Sequence, residues 1–534
     1  MNPAADSRLA DSASRTDPPI SHVVVIGGGT AGWLAACMIA ARCDRVSRDR
    51  IAVTLIESPD VATIGVGEGT WPTMRGTLAA IGLAEDFFLQ RCDGAFKQGT
   101  RFDGWANGAP GDRYYHPFTP PAGKDREALA LWQVADPPTS FAAAASPQVA
   151  VCERDLAPRQ AAMPEYAGAL NYGYHLDAGK FAQLLAEHGV EQLGMRHLRD
   201  HVVAIERDEQ GCIAAVVTRG SGRVAGDLFL DCSGSAGLLI GEELGVGRVD
   251  CGDVLFNDRA LAVQVPQQAD APLASQTNAT AHGAGWLWDI GLPTRRGVGC
   301  VYSSRHSDDQ QAERILRDYL ALTAGAAAAQ SAEPRLLRFQ SAYLESFWVG
   351  NCIAIGQSAG FLEPLEASAI VMVELGVEAL LNDFPRDRSA MPARARQFNS
   401  LMRYRWERIV EFLKLHYVLS RRDEPYWRDH RDGASVPARL AELLELWRDR
   451  PPLAADFSAV DEVFPAASWQ YVLYGMGAAA PPTSPMAPVD PERLRQLAAQ
   501  REQRQRSLLA TLPSNRAYFG ALGATVPRQK ARAL

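Results

Sequence analysis

The chain has 534 residues, 47% of them hydrophobic, and a formal charge of −8. That length buries one large core or two smaller ones, and an acidic balance with no Lys/Arg run interleaved with aromatics argues against a nucleic-acid partner. The nine cysteines are odd in number, dispersed and without a C-x-x-C pair, the pattern of a reduced, cytoplasmic protein with no structural metal.

Residues 1–20 carry Asp6, Arg8, Asp11, Arg15 and Asp17 and no apolar run, so they read as a disordered lead-in and not as a secretory signal. From His22 a short apolar strand meets glycines and then an Ala-rich helix over 33–41. A charged connection over 42–50 leads to a second strand over 51–56 that ends at Glu57, completing a βαβ opening. Residues 105–170 are rich in Pro, Ala and Gly without clear periodicity, which predicts long loops or a lid able to carry substrate contacts. An amphipathic helix over 177–189 follows, then strands over 202–207, 213–218 and 227–231, the first two joined by a hairpin turn at Asp208-Glu209-Gln210-Gly211. The most apolar stretch, 367–381, is interrupted by Glu374 and Glu378 and is too short to cross a bilayer, so no membrane contact is expected. Helices dominate after Glu366, notably 393–417 and 436–448, and beyond a Pro-rich linker over 478–489 Asp490 caps a helix with Pro491 at its first position.

Gly27, Gly29 and Gly32 form G-x-G-x-x-G between strand and helix. Chemistry explains the spacing: the backbone must turn tightly and approach a pyrophosphate seated at a helix N-terminus, with Glu57 placed to accept from a ribose. Two later segments, Asp231-Cys232-Ser233-Gly234 and Gly356-Gln357-Ser358-Ala359-Gly360, each follow a strand. They resemble the flavin-contacting segments of the hydroxylase-like FAD fold, although Gln357 stands where that fold usually has an acid. Only one such fingerprint occurs, so a nicotinamide domain is missing and reduced flavin is expected from another protein.

Four further signatures narrow the function. Gly65-Val66-Gly67-Glu68-Gly69-Thr70-Trp71-Pro72 leads to Phe96-Lys97-Gln98-Gly99; Trp286-Leu287-Trp288-Asp289-Ile290 places two tryptophans on one strand face; Leu362-Glu363-Pro364-Leu365-Glu366-Ala367-Ser368-Ala369-Ile370 runs into a helix; and Tyr114-Tyr115-His116-Pro117-Phe118 precedes a distant Trp469. Each has a plain structural reading on its own: a snorkelling lysine, a core aromatic pair, an acidic first helical turn, a core histidine. Together they resemble the flavin-dependent halogenases of the tryptophan-halogenase type, across roughly residues 23–477.

The resemblance implies an α/β fold: a Rossmann-like FAD-binding domain of the hydroxylase-like flavoprotein fold over 21–385, fused to a mainly helical substrate module over 386–534. It implies cofactor contacts from Gly27, Gly29, Thr30, Ala31, Gly32, Glu57, Glu68, Val203, Asp231, Gly356, Gln357 and Ile370. Ser368 and Ala369 would hold halide at the positive end of a helix. Lys97 and Glu366 would be catalytic, and Trp286, Trp288 and Ile290 would keep organic substrate from the flavin. His116, Pro117, Phe118 and Trp469 would stack on an indole-like acceptor. The implied partner is a flavin reductase supplying FADH2, and a homodimer is compatible with it. This chain departs from the tryptophan-specific pattern in three places: proline after Ile290 is delayed to Pro293, Ala367-Ser368-Ala369 replaces Ser-Thr-Gly, and Val463, Phe464 and Pro465 offer no charge for an amino-acid head group. Bromide or chloride therefore both stay open as the halide. A flavin monooxygenase and a catalytically lapsed FAD-binding protein stay open as alternatives.

Overall fold

A computed structural model describes residues 18–46, 51–61, 67–135, 138–459, 462–481 and 488–523. The lead-in, apart from 18–20, Gly65 and Val66 of the strap, and residues 482–487 of the Pro-rich linker lie outside the described residues.

Strand His22–Ile26 is the centre of a six-stranded sheet, paired in parallel with Ala52–Glu57 on one side and Leu228–Asp231 on the other. Arg196–Arg199 and Cys352–Ala354 extend it in parallel and Trp348–Val349 closes it as an antiparallel edge. The central residues Val23, Val24 and Val25 have no solvent exposure, as expected for a parallel strand covered on both faces. Helix Thr30–Val46 begins at the glycine turn, three residues before the predicted start, and it runs into the charged connection. It packs against helices Ala178–Glu191 and Ser368–Asn382. Asp177 caps the former through Lys180 N–H, and the hairpin at 208–211 closes through Asp208 N–H to the Cys212 carbonyl at 2.9 Å.

A second sheet of seven strands contains Arg259–Pro266, Arg295–Tyr302, Gly285–Gly291, Thr277–His282, Gly99–Asp103 and Arg113–Pro117, flanked by Arg335–Arg338. Alternation along Gly285–Gly291 decides what this sheet does. Leu287 points to helix Asp309–Ala324, packing with Leu316 and Leu320, whereas Trp286, Trp288 and Ile290 point to the opposite face. A small third sheet pairs Gly173–Leu176 with Glu68–Gly69 and with Ala95–Lys97. Gly99 carries the chain from this sheet to the seven-stranded one at φ +144°, where a Cβ would lie 2.3 Å from the His116 carbonyl oxygen. Only glycine permits that crossing.

The stretch expected to be loop, 105–170, contains strand Arg113–Pro117 and short helices Asp125–Gln133, Phe141–Ala145 and Gln148–Cys152. Phe141–Ala145 escapes a periodicity search because Phe141, Ala142, Ala144 and Ala145 are all buried, leaving almost no polar face to alternate with, and Asp125–Gln133, though amphipathic, is only 9 residues long. After Phe361 the described elements are helical. The longest, Met391–Val418, spans 28 residues, and Asp490 caps Pro491–Thr511 as expected. No helix among the described residues is long and apolar enough to cross a membrane.

Candidate active site

One cavity of about 780 Å³ is lined by Gly27, Gly28, Gly29, Thr30, Ala31 and Glu57, and also by Trp286, Trp288, Lys97 and Glu366. Its volume is that of a small-molecule or cofactor site.

The glycine turn divides its work. A Cβ on Gly27 would sit 2.1 Å from the Cys232 carbonyl oxygen, one on Gly28 2.2 Å from Cγ of Glu57, and one on Gly32 1.9 Å from the Gly27 carbonyl oxygen, whereas a Cβ on Gly29 would meet nothing within 4 Å. Three glycines therefore close the turn on itself and the fourth leaves bare backbone facing open space, the arrangement a pyrophosphate needs. Glu57 lines the cavity and its carboxylate is held by His197 Nε2 at 2.8 Å. Gly356, at φ +76°, and Gln357 line the cavity as well. These features fit FAD.

Three of the expected cofactor contacts do not line the cavity. Gly32 faces the Gly27 carbonyl and closes the turn from within. Val203 is 54% exposed and does not line the cavity; its neighbour Val202 does, because the strand's alternation turns Val203 outward. Asp231 is fully buried and does not line the cavity; its carboxylate accepts from the N–H groups of Leu239 and Ile240 at 2.8 and 2.9 Å, so it fixes the following turn. Sequence reading missed Asp200, Arg248 and Arg338, which also line the cavity; they occupy no motif spacing and converge only through the fold.

Trp286 and Trp288 form a wall with ring centroids 6.4 Å apart. Nε1 of Trp286 donates to Oε2 of Glu363 at 3.0 Å, and the same oxygen accepts from Asn257 Nδ2 and Tyr417 Oη, each at 2.6 Å. Burial pushes the Glu363 carboxyl above its usual range, partly offset by these donors. Glu68, in the strap, is likewise raised by burial, to about 7.

Lys97 is 1% exposed and lines the same cavity. Its Nζ lies 5.4 Å from the Phe118 ring centroid. A Cβ on Gly69 would come within 3.0 Å of that Nζ, so the strap glycine makes room for the amine. Burial lowers the ammonium to about 8, against the attraction of Glu366. Phe96, one residue earlier, faces the opposite side of the strand and packs on Tyr172, Tyr518 and Phe519.

Glu366 and Ala367 adopt left-handed backbone, at φ 62° and 54°, immediately before helix Ser368–Asn382. That kink sends the Glu366 carbonyl to Trp71 Nε1 at 2.8 Å and its carboxylate to His116 Nδ1 at 2.8 Å. Nε2 of His416 lies 3.3 Å from the same oxygen, and its Nδ1 is 2.7 Å from Tyr114 Oη. Burial opposes ionisation of Glu366, but the two histidines hold it well below the usual carboxylate range. Ser368, Ala369 and Ile370 line the cavity at the start of the helix, where backbone N–H groups are unpaired within the helix itself. His416 carried no signal in the sequence, lying fifty residues from Glu366 inside a long helix.

The expected acceptor residues stand apart from this cavity. His116 binds Glu366, and Trp469 is buried against Phe412, Trp447 and Phe457, while neither these two nor Pro117 and Phe118 line the open space. No cluster of metal ligands occurs among the described residues.

Residues 22–492 match the tryptophan halogenase family model. The chain belongs to that family. It is 34% identical to the tryptophan 6-halogenase SttH of Streptomyces toxytricini, over 94% of this chain and 98% of the relative. Among solved structures it superposes on a tryptophan halogenase from Shewanella frigidimarina with a TM-score of 0.90 at 44% identity, covering 94% and 98% of the two chains. It also superposes on BrvH, a flavin-dependent halogenase from Brevundimonas, with a TM-score of 0.83 at 32% identity, covering 95% and 100%. Membership of the halogenase family makes the chain an enzyme on the flavoprotein fold anticipated from the sequence, and it gives the glycine turn, the tryptophan wall and the buried lysine one shared context.

Proposed function

We propose that this protein is a two-component halogenase that uses FADH2 delivered by a separate flavin reductase, O2 and bromide or chloride to halogenate an electron-rich, indole-like aromatic. The observation that carries the proposal is a buried ammonium, Lys97, in the same cavity as the glycine turn. Gly27, Gly29, Thr30, Ala31, Glu57 and Gly356 would hold the flavin, which when bound supplies hypohalous acid from oxygen and halide. Ser368 and Ala369 offer the amide end of a helix to the halide.

The remaining steps belong to side chains of this chain. Trp286, Trp288 and Ile290 fill the wall with apolar surface and exclude organic substrate from the flavin. Lys97 donates a hydrogen bond to the oxygen of hypohalous acid. The aromatic ring attacks the halogen, the O–X bond breaks, and the departing hydroxide takes a proton from Lys97 to leave as water. Glu366 accepts the proton lost from the ring carbon and returns it to the Lys97 amine, so that one C–H bond becomes C–X and one water is released. An ammonium lowered to about 8 gives up its proton near neutral pH far more readily than an ordinary lysine. Glu366 is a weak base, which suffices for the strongly acidic proton of a ring cation.

The SttH relative is named for tryptophan. Here Val463, Phe464 and Pro465 carry no charge, and the neighbouring Glu462 is engaged by Tyr404 Oη and by the Ala459 N–H, so an indole without an amino-acid head group suits the site better. Turnover with a flavin reductase, FAD, NADH and an indole panel, in bromide and in chloride, should give the isotope pattern of a monohalogenated product. Lys97→Ala should abolish that product while FADH2 oxidation continues. An oxygenated product in place of a halogenated one would refute the proposal.

A further inference from the structure

A second lysine is buried as deeply as Lys97. Lys414, in helix Met391–Val418, has no exposed surface. Its Nζ donates to Ser435 Oγ at 2.8 Å and to the Val254 carbonyl at 3.1 Å, lies 2.9 Å from His430 Nδ1 and stands 4.9 Å from the centre of the Phe256 ring. None of these four partners is an anion, and a buried ammonium without a counter-charge is costly. A buried carboxyl stands one aromatic layer away. Oε2 of Glu363 takes the donors from Trp286, Asn257 and Tyr417, while its Oε1 has no partner among the described residues. The Tyr417 ring lies on the His430 ring, with centroids 4.3 Å and planes 13° apart, and His430 lies in turn on Phe256 at 4.0 Å. The two clusters also share their backbone. Lys414 and Tyr417 are neighbours on one face of a helix, and Val254 and Asn257 belong to one loop, so each element sends one residue to the ammonium and one to the carboxyl.

We propose that Lys414 is a positioning residue for the tryptophan wall: its ammonium is the counter-charge that keeps Glu363 a carboxylate, and that carboxylate holds the Trp286 indole in place against the cavity. An ionised carboxylate accepts more strongly than a neutral carboxyl, so the bond from Trp286 is charge-assisted only while Glu363 is ionised. Burial raises the Glu363 carboxyl, and its three donors and the Lys414 charge oppose that rise. Burial likewise lowers the Lys414 ammonium, to about 7, against the attraction of Glu363 and Asp432. Asp432 is exposed and screened by water, so Glu363 is the buried partner of the two. The other ionisable groups around Lys414 cannot take its place. His430 is held well below its ordinary value by burial, His306 binds Asp429 at 2.9 Å, and Arg305, 5.7 Å from the Phe256 ring, pairs with Asp253.

The wall's service to the flavin rests on the proposed function, but the charge coupling is measured on the flavin-free protein. In an infrared pH titration, the carbonyl band of protonated Glu363 is identified by its loss in Glu363→Gln. Its midpoint should lie at least about one pH unit higher in Lys414→Met than in the wild type, which is about tenfold tighter proton binding. Methionine keeps the length of the side chain and its packing on Phe256, so the fold is retained. FAD affinity, read by fluorescence, should then fall by about tenfold at pH 6, where the uncompensated carboxyl is protonated, and match the wild type at pH 9, where it is ionised in both proteins. Glu363→Gln, neutral at every pH, should lose that affinity at both values. An unshifted or lowered midpoint in Lys414→Met would overturn the inference. So would an FAD affinity that equals the wild type at both pH values or falls by the same factor at both, as loss of packing alone would produce. Failure of the wild type to halogenate any indole would strike the proposed function and leave the coupling between Lys414 and Glu363 standing.

Discussion

Replacing Lys97 by methionine should destroy activity and stabilise the protein, and the size of the second effect follows from the structure. The ammonium falls from an ordinary 10.5 to about 8 on burial. The unfolded chain therefore binds the proton more tightly than the folded one, and stability is diminished at every pH below 8, with the loss fading as pH rises from 8 to 10.5. Linkage puts the deficit at about 3 kcal/mol at pH 7 and about 1.4 kcal/mol at pH 9.5. Methionine fills nearly the same length without charge and loses only the contact with Phe118, worth about 0.5–2 kcal/mol. Lys97→Met should thus be more stable than wild type by about 1–3 kcal/mol at pH 7, and the advantage should shrink by about 2 kcal/mol at pH 9.5. Urea unfolding of the flavin-free proteins at the two pH values measures both quantities. A variant that is less stable at pH 7, or whose difference from wild type ignores pH, would show that the amine is not buried in its charged form and would remove the basis for its role as an acid.

Further outcomes follow from the cavity and from the sheet that walls it. Gly29→Ala should fold normally yet lose FAD affinity by at least about tenfold in a fluorescence titration, since its methyl meets no protein atom within 4 Å and enters only the ligand's space; Gly28→Ala should lose both, because its methyl strikes Glu57. Glu366→Gln should keep indole binding in calorimetry and lower the rate of halogenation by about 10²–10⁴ in single turnover. His282, lowered by burial to about 4, binds its proton more weakly folded than unfolded, so its contribution is complete above pH 6.5 and is lost as pH falls towards 4. Denaturant titrations should show wild-type stability about 2 kcal/mol lower at pH 5 than at pH 8 from this residue alone, a slope that His282→Asn reduces.

The βαβ opening was legible because its signals are local: an apolar strand, a glycine spacing and a terminal acid reside within forty residues. Trp286 and Trp288 were legible for the same reason, since a two-residue period places both rings on one face whatever the strand packs against. Val203 was expected from the resemblance and not from any period, and its neighbour Val202 lines the cavity instead. Non-local features stayed hidden. His416 meets Glu366 only because helix Met391–Val418 crosses the strand Arg113–Pro117, and Asp200, Arg248 and Arg338 reach the cavity from three separate turns or strands. Helix Phe141–Ala145 was invisible because its buried alanines carry no amphipathic period, and Asp125–Gln133 because 9 residues are too few for its period to stand out among prolines and glycines.

The kink at Glu366 and Ala367 connects these features to function. Left-handed backbone costs a non-glycine residue about 1–2 kcal/mol, and two consecutive residues adopt it here. Glycine would relieve the strain at Ala367, but it cannot replace Glu366, whose carboxylate is bound by His116. In an unkinked entry the Glu366 carbonyl and carboxylate could not reach Trp71 and His116 while the next residues open the helix whose first amides line the cavity. The strain is held by the groups around the cavity: Trp71 fixes the main chain, the histidines fix the side chain, and Ser368 starts the helix. A carboxylate set beside a buried ammonium, with amide donors a residue further on, is thus one local conformation and not three independent placements.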